Sequence, residues 1–157
     1  MANSQLDSLD YKILQMLSAN ARKPYLEIAR ECNVSGAAIH QRIQKLVNMG
    51  VLLGSESLVN PSAVGYDTCA YIGFFLKDPS QFDKVIEQLK KIPEVIECHI
   101  TTGQYDMFIK LYAKNNSDLM SIIHGKLQNL GLARTESLIS FKEVFKRNIP
   151  IIEPADK

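Results

Sequence analysis

The segment from residue 24 to residue 50 constrains the fold of this chain more strongly than any other stretch. It contains two short amphipathic helical patterns, which are joined by a tight turn at residues 32–35. Asn33 tolerates the left-handed backbone conformation that ends a helix, and Ser35 is a favourable N-cap for the helix that follows. A helix, a tight turn and a capped second helix together predict a helix-turn-helix unit.

The second helix of this unit has a polar outer face. Its apolar side is formed by Ile39, Ile43 and Leu46, and a helical wheel puts small residues, amides and cations on the other side and its edges. These residues are Ser35, Ala37, Ala38, His40, Gln41, Arg42, Gln44 and Lys45. Small residues allow close approach to the DNA major groove, Gln can pair with adenine, and Arg or Lys can reach guanine or phosphate. We therefore expect them to bind double-stranded DNA; the alternative is an ordinary solvated helix.

Two of these residues lie at the edges of the outer face. We expect Arg42 to contact a phosphate or to form a structural ion pair rather than to read a base. His40 flanks the helix and is a further candidate for a phosphate contact.

The helices around this segment complete a three-helix unit. An apolar stripe predicts a first helix from Ser4 to Ala21. Pro24 is expected at the first position of the second helix, and Gly50 at the end of the third. We expect a DNA-binding domain over residues 1–53.

The charge of the chain is nearly balanced, with a net charge of +1 over 157 residues. Six Lys or Arg and four Asp or Glu lie within residues 1–50, so the small positive excess is in the helical part. This argues against a purely electrostatic nucleic-acid coat and gives weak support to DNA contact by the first domain.

Other function classes find little support in the sequence. The cysteines at positions 32, 69 and 98 are odd in number and far apart, so we expect free thiols rather than disulfides or a zinc site. The histidines at positions 40, 99 and 124 have no metal-ligand spacing, and no nucleophile pairs with them in a recognisable motif. We expect no catalytic residue, metal or cofactor. Without a membrane-length apolar run or a secretion signal, we expect a cytoplasmic protein.

The chain after residue 53 changes character. Residues 51–61 are interpreted as a strand or an extended linker, and we place the hinge at 54–65. From residue 66 to residue 157 the pattern is β-α-β-β-α-β, which is the ferredoxin-like plan, so the fold class is α+β. The expected strands are Cys69–Leu76, Val95–Thr102, Tyr105–Ala113 and Arg134–Phe145. Helices begin near Asp78 and Asn115, and Gly131 ends the second of them.

The first strand is an almost continuous apolar run, so we expect both of its faces to be buried. Both helices can pack on only one face of such a sheet, and the other face needs a cover. A second copy of the same sheet is the simplest cover and predicts a symmetric homodimer. The tail 146–157, with its three isoleucines, is either a frayed end or packs on a neighbouring subunit.

The turn around Gly103 allows two interpretations. Glycine permits the positive φ of a β-hairpin turn, which would be a purely structural role. Alternatively, backbone N–H groups and the hydroxyls of Thr101 and Thr102 take the carboxylate of a zwitterion, while Asp106 takes its ammonium group.

Specific motifs give the chain a resemblance to a known family. They are Leu9-Asp10-x-x-Ile13-Leu14, Val34-Ser35-x-x-x-Ile39-x-x-Arg42-Ile43, Asn60-Pro61 with Val64-Gly65-Tyr66, Thr101-Thr102-Gly103-Gln104-Tyr105-Asp106, and Glu136-Ser137-Leu138-Ile139-Ser140. Over residues 6–145 the chain resembles the Lrp/AsnC family of feast/famine transcription regulators, and most of all its asparagine-responsive branch. Asn33 departs from the glycine that is usual in the family, but both residues tolerate the left-handed conformation.

The resemblance implies a winged-type helix-turn-helix domain joined to a ferredoxin-like domain that senses amino acids. It also implies dimers that assemble into octamers, with the amino acid, here asparagine, bound between dimers. The implied effector residues are Thr101, Thr102, Gly103, Gln104, Tyr105 and Asp106, completed from another subunit by Thr135, Glu136, Ser137 and Ser140. The rivals to a DNA-binding regulator are a ferredoxin-like enzyme and a sensor subunit without its own DNA target.

Overall fold

The computed structural model describes residues 6–155, which form two compact units. The first unit comprises residues 6–57 together with residues 146–155. The second comprises residues 58–145. The chain therefore passes from one unit to the other twice.

Three helices form most of the first unit: α1 (Ser8–Ala19), α2 (Tyr25–Cys32) and α3 (Gly36–Asn48). Their apolar faces meet in one core, in which the side chains of Ile13, Ile28, Ile39 and Leu46 are completely buried. The expected start of α1 at Ser4 lies outside the described residues. The helix begins at Ser8, because Asp7 and Asp10 form a capping box.

The turn between α2 and α3 confirms the local interpretation of the sequence. Asn33 adopts the left-handed conformation, with φ of 54°, and the Ser35 hydroxyl accepts a hydrogen bond from the Ala38 N–H at 3.1 Å. Gly50 also has a positive φ, of 67°, just beyond the end of α3. The expected position of Pro24 was wrong by one residue: its ψ of 136° is extended, so it caps α2 rather than forming its first turn.

The segment after α3 does not form a strand. Of the two interpretations, a strand or an extended linker, the strand is not formed: residues 52–60 have no β-pairing partner among the described residues and form no β-hairpin wing. A single 3₁₀ turn, Ser62–Val64, precedes the second unit.

The second unit has the ferredoxin-like order of elements that was predicted. It contains β1 (Thr68–Leu76), α4 (Phe82–Leu89), β2 (Val95–Ile100), β3 (Met107–Ala113), α5 (Asn116–Ile122) and β4 (Leu132–Ser140). The strands form one antiparallel sheet in the order β2-β3-β1-β4. The helix after β3 continues from α5 through a π-helical turn and a 3₁₀ turn to Gly131, whose φ is 77°.

Both helices of this unit pack on the same face of the sheet. The core between them contains Ile72 and Phe74 of β1, Ile109 of β3 and Leu89 of α4. We call this the inner face, and the opposite side of the sheet the outer face. On the outer face Tyr71 and Phe75 are only half-buried, so the expectation that β1 is buried on both faces was wrong for the single chain.

Two expectations about the C-terminal part need correction. The fourth strand ends at Ser140 rather than Phe145, because its pairing with β1 stops at Cys69. Residues 146–155, which the sequence assigned to the ferredoxin-like domain, group with the helical unit instead. They do so because Ile151 packs against its core.

Candidate nucleic-acid interface and effector turn

Helix α3 presents much of the predicted DNA-binding face to solvent. Ser35, Ala37, His40, Gln41 and Gln44 are exposed, and Ala38 is half-buried. Because the small residues lie in the first turn, which Ser35 caps, the N-terminal end of α3 offers little steric hindrance to an approaching surface.

Two polar side chains on this face have partners within the helical unit. The Gln44 amide donates a hydrogen bond to the Asn48 side chain at 2.9 Å, one helical turn further on. The His40 ring contacts the ring of Tyr25 in an edge-to-face geometry, with 4.8 Å between their centroids. This contact joins α3 to the start of α2.

The two cations of α3 converge on a buried acid. The Asp10 carboxylate is completely buried, and it accepts hydrogen bonds from Arg42 Nη1 at 3.1 Å and from Lys45 Nζ at 3.0 Å. Arg42 was expected to contact a phosphate or to form a structural ion pair, and the structure contains the ion pair. Lys45, predicted to lie opposite the core, is drawn toward α1 in the same way.

Asp7 extends this cluster at the surface. Arg42 also donates to the Asp7 carboxylate, and this hydrogen bond, followed by one from the Asp10 N–H, lowers the pKa of Asp7 below its usual value of 3.8. The same contact raises the pKa of Arg42. Sequence reasoning missed Asp10, although an acid between Leu9 and Ile13 in an apolar stripe was a usable signal.

The turn between β2 and β3 is closed by its own hydrogen bonds. Gly103 has a φ of 97°, so this position requires glycine whichever role the turn has. The Thr101 N–H donates to the Asp106 carbonyl at 3.2 Å, and the Thr101 hydroxyl donates to the Tyr105 carbonyl at 2.8 Å. Thr101, Thr102, Gly103 and Gln104 are exposed.

Asp106 ties this turn to the end of β1. Its carboxylate accepts a hydrogen bond from the Leu76 N–H at 2.8 Å, and its own N–H donates to the Phe74 carbonyl at 2.9 Å. The carboxylate predicted to hold an ammonium group thus has a backbone partner in its own chain.

A polar cluster joins the turn to β4. The Tyr105 hydroxyl donates to the Glu136 carboxylate at 2.7 Å, and the Gln104 amide lies 3.3 Å from the same oxygen. Arg134 pairs with the other Glu136 oxygen. The hydrogen bond to Glu136 raises the pKa of Tyr105 and lowers the pKa of Glu136.

The ring of Tyr105 lies directly on the backbone of Gly73. A Cβ atom at position 73 would be 2.4 Å from the Tyr105 Cδ1 atom, so only glycine leaves room for the ring in this position. Phe75 and Phe108 flank the same ring, with centroid distances of 5.4 and 5.7 Å. Glycine at position 73 therefore sets the orientation of Tyr105 toward Glu136.

The residues predicted on β4 are divided between the two faces of the sheet. Glu136 pairs with Gly73 and lies on the outer face, whereas Thr135 and Ser137 pair with Phe74 and Ile72 and share the inner face. Ser140 pairs with Cys69, four residues along the strand from Glu136. Within one chain the structure thus brings Gln104, Tyr105 and Glu136 together, but not Thr135, Ser137 or Ser140.

A buried lysine on the outer face also escaped sequence reasoning. The Lys110 side chain is 7% exposed and lies between the rings of Tyr71 and Tyr112, at 5.6 and 5.7 Å from their centroids. Glu97 and Glu143 are its charged neighbours, at 3.9 and 3.7 Å. The signal was a lone cation within the apolar run of β3.

A metal-binding cluster and a membrane-spanning helix are both absent from residues 6–155. This part of the chain contains no group of three or more His, Cys, Asp or Glu side chains arranged to hold a metal ion. None of its helices combines the length and the apolar character needed to cross a membrane.

A helix-turn-helix unit followed by a ferredoxin-like unit defines a class of DNA-binding regulators with a ligand-binding domain. The family model described as the AsnC-type helix-turn-helix domain matches residues 6–47, and the model described as the Lrp/AsnC ligand binding domain matches residues 69–150. The chain belongs to the Lrp/AsnC family of transcriptional regulators.

Individual relatives agree with this assignment. The regulatory protein AsnC of Haemophilus influenzae is 37% identical over 145 residues, which cover 92% of this chain and 97% of the relative. The solved structure of Escherichia coli AsnC has a TM-score of 0.86 at 34% identity, covering 92% of this chain and 97% of that one. A feast or famine regulatory protein from Mycobacterium tuberculosis, complexed with L-methionine, has a TM-score of 0.87 at 26% identity and coverages of 94% and 99%.

Proposed function

We propose that this regulator reads DNA with α3 and that an amino acid bound at the turn 101–106 changes its DNA affinity. The observation that carries the first part is the exposed row of small residues and amides on α3, with Gln41 at its centre. A glutamine in the major groove can pair bidentately with adenine, whereas its small neighbours allow the helix to approach the bases. Arg42 and Lys45 then contribute positive charge near the phosphates while they remain paired with Asp10.

The proposal for the effector rests on the turn and on one relative. The turn offers exposed backbone groups and threonine hydroxyls beside the cluster of Gln104, Tyr105 and Glu136. A zwitterion needs donors for its carboxylate and an acceptor for its ammonium group. Glu136 is an acceptor beside the turn, whereas the Asp106 carboxylate within the turn already accepts the Leu76 N–H. The Mycobacterium tuberculosis relative was solved with L-methionine, which supports an amino acid as the class of ligand. Asparagine is the candidate suggested by the resemblance to the asparagine-responsive branch.

The proposed assembly is a homodimer formed through the outer face of the sheet, and dimers that associate further into octamers. The outer face carries half-buried aromatic rings, of which Tyr71 and Phe108 stack at a centroid distance of 5.9 Å, and the exposed side chain of Leu138. A dimer would present two α3 helices to half-sites about 34 Å apart, which is one turn of DNA. In the octamer Thr135, Glu136, Ser137 and Ser140 of one subunit would line the effector site of another.

Catalysis has no part in this proposal, because the curated relatives carry the names of regulators and gene control needs only reversible binding. We place the protein in the cytoplasm, with the DNA that it regulates. The rival function is an amino-acid sensor that acts on another protein and has no DNA target of its own.

The decisive experiment is fluorescence anisotropy on DNA from upstream of the protein's own gene. Binding is measured across salt concentrations, and with and without each of the twenty amino acids. We expect tight, salt-dependent binding that at least one amino acid alters. Binding that no amino acid changes would refute the effector part alone. Equal affinity for this DNA and for a random duplex would favour the sensor without a DNA target.

A further inference from the structure

The C-terminal segment 146–155 lies along α1 in the opposite direction. Asn148 contacts Ser18, the Gln15 amide donates to the Ile151 carbonyl at 3.0 Å, and Ser8 contacts Glu153. The ten residues from Ser8 to Ser18 span roughly 15 Å of helix at about 1.5 Å per residue. Five extended residues cover roughly the same length at about 3.3 Å each. The segment therefore matches α1 along nearly its whole length, and we call it the strap.

The chemistry of the strap fits both ends of α1. At the C-terminal end of the helix, the Asn148 amide donates to the Ser18 carbonyl at 3.0 Å, one of the last carbonyls that have no partner within the helix. At the other end the acidic Glu153 meets Ser8, the first helical residue, where the helix dipole favours negative charge. An amide at one end and a carboxylate at the other make the strap a specific partner of this helix.

An apolar anchor holds the middle of the strap. Ile151 is half-buried and packs against the core of the helical unit, whereas its neighbours Ile149 and Ile152 are 82% and 74% exposed. Pro150 restricts Ile149 to extended conformations, so less conformational entropy is lost when the strap binds. One of the three isoleucines thus has a function in packing, and Ile149 provides a matched control.

The helix that the strap contacts is also the helix that holds α3. Asp10 of α1 accepts the hydrogen bonds from Arg42 and Lys45, and it does so within the span covered by the strap. Contacts that restrict the motion of α1 therefore also restrict α3, because the buried Asp10 carboxylate joins the two helices.

We propose that the strap is an integral part of the DNA-binding unit. It holds α1 and α3 together and thereby controls DNA affinity. This inference rests on the role proposed above for α3. Residues 141–145 connect the strap in the chain to β4, the strand that carries Glu136.

The test compares Ile151→Ala with Ile149→Ala in the full-length protein. Hydrogen exchange is followed in α1 and α3, and DNA affinity is measured at a temperature at which every variant is folded. We expect exchange in both helices to be faster by roughly tenfold in Ile151→Ala, because a packed side chain is truncated. The Kd for the upstream duplex should rise several-fold. Ile149→Ala should change neither the exchange rates nor the Kd. Ile151→Val, which keeps most of the packed side chain, should leave both close to the wild-type values.

Several outcomes would overturn this inference. If Ile151→Ala and Ile149→Ala exchange at the same rate, the strap does not hold the helices. If exchange rises while the Kd is unchanged, its role in DNA binding is refuted. If Ile151→Ala does not fold, the pair Gln15→Ala and Asn148→Ala removes the polar contacts without touching the core, and the same two measurements apply. A wild-type protein that bound no DNA would refute the proposed role of α3, whereas exchange would still test the strap.

Discussion

The completely buried carboxylate of Asp10 in α1 accepts a hydrogen bond of 3.1 Å from the guanidinium group of Arg42 on α3. Lys45 binds the second carboxylate oxygen at 3.0 Å, so one acid pairs with both cations of α3. A buried carboxylate without these donors would be costly, so the pairing fixes the distance between the two helices. The cations that would face DNA are therefore positioned by the fold before DNA arrives.

We expect Asp10→Asn to lower the free energy of unfolding by about 1–3 kcal/mol, because the amide retains the volume but loses the charge-assisted hydrogen bonds. Urea denaturation measures this loss. The matched control is Asp7→Asn, since Asp7 also contacts Arg42 but its side chain is 51% exposed. An equally large loss in both variants would show that burial of the Asp10 carboxylate is not the reason.

The lowered pKa of Asp7 leads us to expect a specific dependence of stability on pH. The hydrogen bond from Arg42 lowers the pKa of Asp7 in the folded state, so its carboxylate stabilises the fold fully at pH values above the unfolded value near 3.8. This contribution is lost as the pH falls through the lower folded pKa. In Arg42→Gln the acid-induced loss of stability should therefore be shallower than in wild type below about pH 4. Unfolding by urea at a series of pH values tests this, and identical slopes would contradict it.

The close contact between Gly73 and the ring of Tyr105 is the basis of a third prediction. In Gly73→Ala the new methyl group would overlap the Tyr105 ring, which is too rigid to yield at its Cγ and Cδ1 atoms. We expect the ring to leave its place, with a loss of about 1–3 kcal/mol in the free energy of unfolding. The hydrogen bond to Glu136 should break, so the raised pKa of Tyr105 should fall toward its usual value of 10.0. Spectrophotometric titration reports that change.

The control for this prediction is Tyr105→Leu in the Gly73→Ala background. A smaller side chain at position 105 leaves room for the methyl group, so the two substitutions should cost less together than the sum of their separate effects. Strict additivity would show that the short distance between Gly73 and Tyr105 does not determine the cost.

Local signals in the sequence were sufficient to predict the helix-turn-helix and the order of strands. Asn33 and Ser35 act on their own backbone neighbours, so their residue types alone indicate where one helix ends and the next begins. Gly103 likewise marks its turn. The alternation of apolar residues then determines which side of each helix or strand faces the core.

Interactions between distant residues could not be predicted in this way. The pairing of Asp10 with Arg42 joins residues 32 positions apart, and that of Gln15 with Ile151 joins residues 136 apart. No local periodicity encodes such pairs. The sequence therefore predicted that Lys45 lies on the solvent-facing side of α3 and that the strap belongs to the ferredoxin-like domain. The end of β4 was misplaced for the same reason, because it depends on where its partner β1 begins.

Gln41 is the residue of α3 on which sequence specificity should depend. It is exposed, whereas the cations Arg42 and Lys45 are engaged with Asp10. We expect Gln41→Ala to reduce the preference for the specific over the random duplex by about 1–3 kcal/mol, because one bidentate base contact is lost. Arg42→Ala should weaken binding to both duplexes, since phosphate contacts carry no sequence information. Equal losses on both duplexes for Gln41→Ala would exclude a role in base reading.

Asp106 is the residue for which sequence and structure suggest different roles. The sequence suggested that its carboxylate binds the ammonium group of an amino acid, but in the structure it accepts the Leu76 N–H at 2.8 Å. Asn at this position can still accept that hydrogen bond, whereas Ala cannot. We expect Asp106→Asn to bind the effector within about threefold of wild type, and Asp106→Ala to bind it far more weakly because the turn loses its attachment to β1.

Isothermal titration with the amino acid that alters DNA binding in wild type distinguishes the two roles of Asp106. If the negative charge itself holds the ammonium group, Asp106→Asn should lose as much affinity as Asp106→Ala. In that case Glu136→Gln should change the affinity little. If Asp106 is instead an anchor, the charge must come from elsewhere. Glu136, which already accepts from Tyr105 and Gln104, is then the acceptor whose substitution by Gln abolishes binding.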